Sequence, residues 1–437
     1  MTGLHFVSLG CPKNLVDSEV MLGQLLGQGF TLTDDPGRAR VIVVNTCAFI
    51  EDAKKEAVDT ILEMAEYKKK GQCQLLVVAG CLPQRYHDEL ARLMPEVDIF
   101  IGAGEFHRIA ELIASKTEGQ EIYVARPEYI YGHETPRLHT TPAHVGYLKI
   151  AEGCFHPCSF CIIPKLRGRF RSRPLDSIVE EARGMLERGV REINVIAQDV
   201  TAYGRDIGVD LATLLDHLAG LSGQKWVRLL YAYPHNFPEG VINAMRAHTD
   251  ICRYLDLPIQ HISDRVLKSM RREGEGRHIR WLIERLRRDV PDISLRTTLI
   301  VGYPGETQAE YDELLDFVCE MRFEHLGVFV YSPEEGTKAA RLKGRVPADV
   351  GEKRRREIME VQREISYDKN IRLIGRRLGV LVEGASGKGH LLKGRHEGQA
   401  PDIDGLVYIN KGGAEAGQFA AVEITDAHEY DLVGKIV

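Results

Sequence analysis

The sequence predicts an α/β protein with three folded units: an N-terminal domain built on a parallel sheet, a central partial (β/α)6 barrel and a small C-terminal antiparallel β-barrel. Two observations support this prediction. Over most of the chain, short apolar runs alternate with amphipathic helical patterns, and this alternation is typical of parallel sheets. From about residue 380 the pattern changes to glycine-rich β-type runs, which favour a small antiparallel barrel. We therefore place the units at residues 1–121, 142–371 and 372–437, with a linker at 122–141.

Three cysteines of the N-terminal unit each follow the end of a predicted strand. The strands are His5–Leu9, Val41–Val44 and Leu75–Ala79, and the cysteines after them are Cys11, Cys47 and Cys81. Helical patterns follow at Asp17–Gly27, Glu51–Lys69 and Pro83–Met94. Because ligand sites of parallel sheets lie beyond the carboxyl ends of the strands, we expect the three thiols to meet at one edge. Cys73 precedes its strand and is expected at the opposite edge, and core packing is the alternative for any single cysteine.

The central unit contains six predicted strands separated by helical patterns. Six strands are too few to close an eight-stranded barrel, so we expect an open, partial barrel whose functional face lies at the carboxyl ends of the strands. A charged helix, Ala348–Arg372, is expected to complete this unit. The predicted strands are Gly146–Ala151, Glu192–Ile196, Val227–Tyr231, Arg253–Leu257, Ser294–Val301 and His325–Val330. The β-type runs of the C-terminal unit are Val380–Glu383, Leu406–Ile409 and Phe419–Thr425.

Composition restricts the class of function. The chain has 437 residues and a formal net charge of −6, so it has no overall attraction to nucleic acid or to an anionic membrane. Residues 1–30 lack the apolar stretch of a signal peptide, and no apolar run approaches membrane-spanning length. Free thiols without a targeting segment favour a reducing compartment. We therefore expect a cytoplasmic protein that does not bind membranes.

Cys154, Cys158 and Cys161 form the compact pattern C-x-x-x-C-x-x-C. Disulfide frameworks suit small secreted domains, and structural zinc usually takes four ligands from paired C-x-x-C units, of which the sequence offers no second pair. Thiolates are the standard ligands of iron–sulfur clusters, so we interpret this triad as a cluster site. Three thiolates leave one iron of a four-iron cluster free to bind another ligand, and we expect the chemistry at that open iron.

The compact triad and its surroundings resemble a known family. Phe160, directly before the last cysteine of C-F-H-P-C-S-F-C, is typical of radical S-adenosylmethionine enzymes. The whole chain resembles the methylthiotransferases, in which a methylthiotransferase domain precedes a radical core and a TRAM domain. It is most similar to the branch that modifies a decoding-centre protein of the small ribosomal subunit. The motifs that carry the resemblance are S-L-G-C-P-K-N at Ser8–Asn14, N-T-C at Asn45–Cys47, A-G-C at Ala79–Cys81, C-I-I-P-K-L-R-G at Cys161–Gly168, P-I-Q-H at Pro258–His261, V-G-Y-P-G-E-T at Val301–Thr307 and A-P-D-I-D-G at Ala400–Gly405.

The resemblance implies two [4Fe-4S] clusters and S-adenosylmethionine as cofactors. One cluster would lie on Cys11, Cys47 and Cys81, and the cluster on the compact triad would bind S-adenosylmethionine as radical source, while a second molecule gives the methyl group. The expected product carries a methylthio group on the β-carbon of an aspartate. The implied partners are the small-subunit ribosomal protein and an electron donor such as a flavodoxin or a ferredoxin, and the chain is expected to be a monomer.

Four further residues are candidates for contact with S-adenosylmethionine, on the strength of the resemblance. Phe160 is expected against the adenine, and Gln198, at the end of a predicted strand, near the ribose. Gly302 and Gly305 would let the backbone approach the nucleoside, because glycine has no Cβ. For both glycines, a simple strand-to-helix turn is the alternative.

Basic residues follow the compact triad at every second position. They are Lys165, Arg167, Arg169, Arg171 and Arg173. This spacing predicts one face of an extended segment, which would hold the cofactor or an acidic substrate because arginine binds carboxylates bidentately. A solvated charge run is the alternative. His156 and His261 are expected to be structural or surface residues rather than ligands.

Two features favour a protein substrate over RNA. Relatives that act on tRNA usually carry Gln-Ser-Gly where this chain has Gln260 and His261. Residues 371–437 contain eight Lys and Arg against nine Asp and Glu, whereas a nucleic-acid footprint is normally basic. The alternatives are a tRNA methylthiotransferase acting on a modified adenosine, and a non-catalytic RNA- or ribosome-binding protein with structural metal.

Overall fold

A six-stranded parallel sheet forms the first unit of the computed structural model, which describes residues 2–387 and 391–437. The strand order is β2-β1-β3-β4-β5-β6, and every neighbouring pair is parallel, as predicted. The strands are β1 (Thr2–Ser8), β2 (Phe30–Leu32), β3 (Val41–Thr46), β4 (Leu75–Gly80), β5 (Ile99–Gly102) and β6 (Glu121–Tyr123). The helices are α1 (Pro12–Gly27), α2 (Glu51–Ala65), α3 (Tyr67–Lys70), α4 (Cys81–Leu93) and α5 (Ile109–Ala114).

The position of each strand in this sheet explains how clearly its sequence predicts it. The central strand β3 is buried at every residue, and β4 is buried at all but its first, because helices cover both faces. Their apolar runs are therefore continuous and easily recognised. The edge strands β2 and β6 have three residues each and are partly exposed, so they carry little pattern.

The second unit is an open sheet of six parallel strands flanked by helices, as predicted. Its order is β14-β13-β12-β11-β10-β7, and β8 and β9 form a separate antiparallel pair. The strands are β7 (Val145–Lys149), β8 (Ala151–Glu152), β9 (Arg171–Ser172), β10 (Glu192–Ile196), β11 (Trp226–Leu229), β12 (Ile251–Asp256), β13 (Ser294–Val301) and β14 (His325–Val330). The helices are α6 (Ile163–Arg167), α7 (Leu175–Glu187), α8 (Leu211–Ala219), α9 (Glu239–Ala247), α10 (Asp264–Ser269), α11 (Gly276–Asp289), α12 (Gln308–Met321) and α13 (Ala348–Ile371).

The last two helices of the second unit, α12 and α13, show how local sequence matches structure. Thr307 and Glu310 form a reciprocal capping box at the start of α12, which satisfies backbone N–H groups that a helix start leaves free. The long charged helix α13 buries a narrow apolar stripe that includes Ile358 and Ile365 against the core of the second unit. Its other faces are charged, which explains its high polarity.

The third unit is a closed five-stranded barrel, as predicted, with strand order β15-β16-β17-β19-β18. The pairing is antiparallel except between β17 and β19, which run parallel. Val380, Val407 and Val422 belong to its core. The strands are β15 (Arg377–Ala385), β16 (Leu392–His396), β17 (Val407–Lys411), β18 (Phe419–Ala427) and β19 (Leu432–Ile436).

The barrel docks at the amino ends of β10 and β11 through a buried charge triad. Glu192, the first residue of β10, accepts hydrogen bonds from Arg228 Nε at 2.7 Å and from Arg395 Nη1 of the barrel at 3.1 Å. Burial alone would raise the pKa of Glu192, but the two guanidinium groups outweigh it and lower that pKa. Nearby, the rings of Trp226 and Phe419 meet edge to face with centroids 4.9 Å apart.

The predicted linker makes ordered contacts with both neighbouring units. Arg137 bridges Glu19 of α1 and Glu181 of α7, with N···O distances of 2.6 Å to each. All three side chains are buried, so the segment fixes the first two units relative to each other. None of the helices in the described ranges combines the length and apolar character that crossing a membrane requires.

Candidate functional site

A cavity of about 470 Å³ lies where the carboxyl ends of the two parallel sheets meet. All six cysteines that the sequence predicts as cluster ligands line this cavity. Three belong to the first unit and three to the second. The structure therefore brings together two sets of thiols that are up to 150 residues apart (Cys11 to Cys161) in the sequence.

The first triad sits at the ends of three neighbouring strands. Cys11 is the N-cap residue of α1, Cys47 directly follows β3, and Cys81 is the first residue of α4. Gly10 has a φ of +92°, and a Cβ there would lie 2.8 Å from Cys47 Cβ. Only glycine fits this conformation and this close approach, so Gly10 sets how near Cys11 and Cys47 lie. Cys73 is buried ahead of β4, at the end of that strand opposite to Cys81.

The second triad lies in the loop between β8 and α6. Polar groups of the protein already approach two of its sulfurs. The backbone N–H of His156 donates to Cys154 Sγ at 3.4 Å, and Arg272 Nη1 lies 3.9 Å from Cys158 Sγ. Hydrogen bonds and charge beside cluster sulfurs are among the levers by which proteins set the reduction potential of iron–sulfur centres.

Burial dominates the acid–base behaviour of the thiols. It raises the pKa of Cys81, Cys154 and Cys161 to about 12, and it also raises the pKa of Cys47. These side chains become thiolates near neutral pH when a metal cation replaces the proton. Within residues 2–387 and 391–437, no three His, Cys, Asp or Glu side chains are grouped so as to hold one metal ion. A four-iron cluster binds each thiolate through a different iron, so the donors fit a cluster better than a single zinc.

Phe160 and Gln198 line the same cavity as the triads. Gln198 Nε2 donates to Glu152 Oε1 at 2.6 Å, while Gln198 Oε1 is buried and has no partner among the described residues. A buried acceptor without a donor is costly, and a ribose hydroxyl would supply the missing donor. Phe160 packs against a small apolar cluster that includes Tyr303 and Met270.

Gly302 and Gly305 lie in the turn after β13, outside the cavity lining. Their φ angles are +72° and +81°, a region that favours glycine. A Cβ at Gly302 would be 3.5 Å from Gly351 of α13, and the N–H of Gly305 donates to the carbonyl of Gly344 at 2.7 Å. Both glycines thus contact the segment that leads into α13 and its first turn.

Two cavity residues adopt positive φ although neither is a glycine. Tyr231, just after β11, has a φ of 65°, and Gln260, shortly after β12, has a φ of 74°. Bulky side chains rarely adopt this conformation, and such strain clusters at functional sites. Gln260 stands in the P-I-Q-H motif, but no pattern around Tyr231 indicates its conformation.

His156 is buried in the cavity wall and is held on two sides. Its Nε2 lies 2.7 Å from Asp199 Oδ2, and its ring stacks on Tyr233 with centroids 3.8 Å apart. His261 is also buried, and its Nδ1 accepts a hydrogen bond from the backbone of Ser263 at 3.0 Å. Both histidines therefore have structural contacts, and neither is a surface residue.

The prediction that the basic run forms one face of an extended segment is wrong. Residues Ile163–Arg167 form the helix α6, because a proline in its first turn favours helix formation there. The basic side chains consequently diverge. Lys165 and Arg169 are exposed, whereas Arg173 is fully buried and pairs with Glu181.

Arg167 instead joins a buried ion network between the first two units. Asp17 of α1 accepts hydrogen bonds from Arg167 and from Lys149 of β7. Arg167 also donates to Asn14 Oδ1 at 3.0 Å, and Lys149 donates to Glu152 Oε2 at 2.8 Å. Burial alone would raise the pKa of Glu152, but Lys149 and Arg167 outweigh it and lower that pKa to about 2. The network fixes the position of one cysteine triad relative to the other.

Three family models match consecutive parts of the chain. The model described as Uncharacterized protein family UPF0004 matches residues 3–102, the Radical SAM superfamily matches residues 148–318, and the TRAM domain matches residues 374–437. The first two matches contain one cysteine triad each. The third covers the closed barrel.

Full-length relatives decide the family. The ribosomal protein uS12 methylthiotransferase RimO of Geobacter sulfurreducens is 51% identical over 439 residues, covering 99% of this chain and 98% of the relative. The protein of the same name from Pelobacter propionicus is 52% identical, with 99% and 97% covered. That from Myxococcus xanthus is 51% identical, with 99% and 91% covered. The chain belongs to the RimO family of methylthiotransferases. Membership in the RimO family confirms the class of radical S-adenosylmethionine methylthiotransferases that the motifs predict.

Solved structures of other radical enzymes share the fold of the RimO-family chain. The methyltransferase TsrM from Kitasatospora setae, solved with cobalamin and a [4Fe-4S] cluster bound, has a TM-score of 0.55 at 16% identity, covering 78% of this chain and 77% of that chain. The cobalamin-dependent S-adenosylmethionine radical enzyme OxsB has a TM-score of 0.54 at 12% identity, covering 82% and 56%. At these identities the likeness shows the shared fold alone.

Proposed function

We propose that this protein methylthiolates the β-carbon of an aspartate in ribosomal protein uS12, a decoding-centre protein of the small subunit. The single observation that carries the proposal is the meeting of two cysteine triads in one cavity. The relatives named for uS12 modification, at about half identity over the full chain, support the choice of substrate. Because these relatives are named for a protein substrate, the alternative of tRNA methylthiolation is not favoured.

Each triad would hold one [4Fe-4S] cluster through three thiolates, leaving one iron open. Cys154, Cys158 and Cys161 would carry the cluster that binds S-adenosylmethionine. The cluster on the other triad would present or donate the sulfur that is inserted. In this division, residues 1–121 form the methylthiotransferase domain, 142–371 the radical core behind the linker 122–141, and 372–437 the TRAM domain.

Four residues would position S-adenosylmethionine. Phe160 would pack against the adenine, and Gln198 would accept a hydrogen bond from the ribose through its unpaired Oε1. Gly302 and Gly305 would keep the chain after β13 in a positive-φ turn that carries the nucleoside side of the site. Binding by Phe160 and Gln198 would bury the cofactor in a cavity walled mainly by apolar and aromatic groups, which excludes water from the reaction.

The bound cofactors would supply hydrogen abstraction from an unactivated carbon, the sulfur atom and the methyl group. The chain's own contribution is geometry. Asp17, Lys149 and Arg167 hold the two units together, so that both triads line the one cavity in which the substrate carbon would lie. Arg272 and the N–H of His156 interact with the sulfurs of the second triad.

The remaining proposals concern the cellular setting. We infer a cytoplasmic monomer that receives electrons from a flavodoxin or a ferredoxin and meets uS12 free or on the ribosome. The free thiols and the requirement for a low-potential donor support a reducing compartment.

The choice of substrate is tested by incubating the anaerobically reconstituted protein with S-adenosylmethionine, a reductant and uS12. Mass spectrometry should find one added methylthio group on an aspartate, whereas unmodified uS12 in the presence of S-adenosylmethionine cleavage would refute the proposal.

Iron and sulfide counts test whether each cysteine triad holds a cluster. Cys11→Ala and Cys154→Ala should each lose about half of the iron, and the control Cys73→Ala should keep it all.

A further inference from the structure

Lys13 projects into the cavity that the two cysteine triads share. It is the second residue of α1, between Cys11 and Asn14, and it lines the cavity. Its Nζ lies 3.1 Å from the centroid of the Tyr231 ring, a cation–π contact that holds the ammonium group beside the first triad. The ring that holds it belongs to one of the two strained residues of the site.

Lys13 differs from the other cations of the cavity because it has no acidic or carbonyl partner. Of the Lys and Arg side chains that line the cavity in the described ranges, Arg167 is paired with Asp17, and Arg272 donates to the carbonyl of Pro258 at 2.5 Å. The side chain of Lys13 makes neither a hydrogen bond nor an ion pair within residues 2–387 and 391–437. Its Nζ is therefore free to bind a ligand.

The location of Lys13 conflicts with the local preferences of the helix. The first turn of a helix carries the positive end of the dipole, which favours acidic residues and disfavours a lysine. No acidic residue stands in the first turn of α1. The positive end of the helix dipole and the amino group of Lys13 lie together at the cavity wall. A residue that opposes the preference of its position in a helix is expected at functional sites.

We propose that Lys13 binds the side-chain carboxylate of the aspartate that the enzyme modifies. The proposal rests on the proposed function, since it assigns a residue to recognise that substrate. The β-carbon of aspartate is bonded directly to the carboxylate carbon, so an ion pair at the carboxylate fixes the reacting carbon between the triads. An asparagine or a serine at the same place would offer no negative charge. Lys13 is thus a specificity-determining residue.

The proposal is tested by comparing the binding of two substrates. One is uS12, and the other is uS12 in which the modified aspartate is replaced by asparagine. Dissociation constants are measured by fluorescence anisotropy on anaerobically reconstituted wild type, Lys13→Met, Lys13→Arg and Lys55→Met, an exposed control on α2. Wild type and Lys55→Met should bind the aspartate form about tenfold tighter than the asparagine form, as expected for a charge-assisted contact. Lys13→Met should abolish most of this ratio, and Lys13→Arg should keep it.

An equal aspartate-to-asparagine ratio in wild type and Lys13→Met would overturn the proposal. If Lys13→Met fails to load iron, Tyr231→Leu replaces it, because loss of the ring frees Nζ and should reduce the same ratio. Failure of the proposed function would give a different experimental result. In that case wild type leaves uS12 without a methylthio group, whereas failure of the Lys13 assignment alone leaves an active wild type whose ratio the Lys13→Met change does not alter.

Discussion

Asp17 and Lys149 form a buried ion pair that joins the two units whose cysteine triads line the shared cavity. Asp17 belongs to α1 of the first unit and Lys149 to β7 of the second, and both side chains are at most 4% exposed. Arg167 shares the same carboxylate. Because a buried pair is costly to break on one side only, this contact is a sensitive point of the architecture.

Replacing Asp17 by asparagine should loosen the docking of the two units. Two buried cations, Lys149 and Arg167, would then share only Glu152, so one buried positive charge would lack a partner, at an expected cost of about 3–5 kcal/mol. The urea midpoint of unfolding should fall, and amide hydrogens of α1 should exchange faster. Asp59→Asn, at an exposed position of α2, serves as the control and should change stability by about 0.5 kcal/mol or less. Equal effects of the two substitutions would contradict this account.

Replacing Glu192 by glutamine should release the C-terminal barrel from the central sheet. Arg228 would lose the carboxylate that it pairs with, and Arg395 would keep only Glu383, again at a cost of about 3–5 kcal/mol. Limited proteolysis should then cut the junction between α13 and β15 more rapidly. The matched control is Glu423→Gln, which removes only a surface pair with Lys435. A junction that stays resistant in Glu192→Gln would rule out a docking role for the triad.

Alkylation of the metal-free protein should become faster with rising pH. Burial raises the pKa of Cys154 and Cys161 to about 12, so between pH 7 and 9 the reactive thiolate fraction increases about tenfold for each pH unit. Mass spectrometry after iodoacetamide treatment measures the rates, with the exposed Cys319 as a control for reagent access. Reconstitution with iron and sulfide should protect both sites. A labelling rate that levels off below pH 9 would be inconsistent with the raised pKa values.

Replacing Arg272 by methionine should make the cluster on the second triad harder to reduce. Its guanidinium lies 3.9 Å from Cys158 Sγ, and a positive charge there stabilises the more negative, reduced state. The midpoint potential should become more negative by roughly tens of millivolts, as a partly screened charge implies. Spectroscopic redox titration measures it, with the exposed Arg277→Met on α11 as control. A potential that stays equal or rises would show that the charge does not act on the cluster.

Much of the fold follows from the sequence because the core strands are strongly apolar. The predicted bounds of β10, β13 and β14 agree with the structure at both ends, since each is a compact β-type run between helices. The short strands β2, β5 and β6 escape prediction, because three or four residues at or near the edge of a sheet carry no periodicity. The parallel pairing of β17 and β19 follows from closing an odd number of strands, which no local pattern reveals.

The functional site also has a part that the sequence predicts and a part that it does not. The six cysteines are predictable, because their spacing and their places after strands are properties of the chain itself. Lys13 and Tyr231 are not, since they come from different units and meet only after docking. The fate of Arg167 is equally hidden, because the α6 helix turns it away from its basic neighbours and toward Asp17.

The two triads come from separate sheets, and this has a consequence for how the protein is made. Synthesis proceeds from the amino end, and domains generally fold as units in that order. The first sheet can form while the second is still emerging from the ribosome, and its three sulfurs then face water rather than the opposite wall of the cavity. During this interval, oxygen and competing metals have free access to them. Shielding from damage is thus acquired only at the moment when the two halves close.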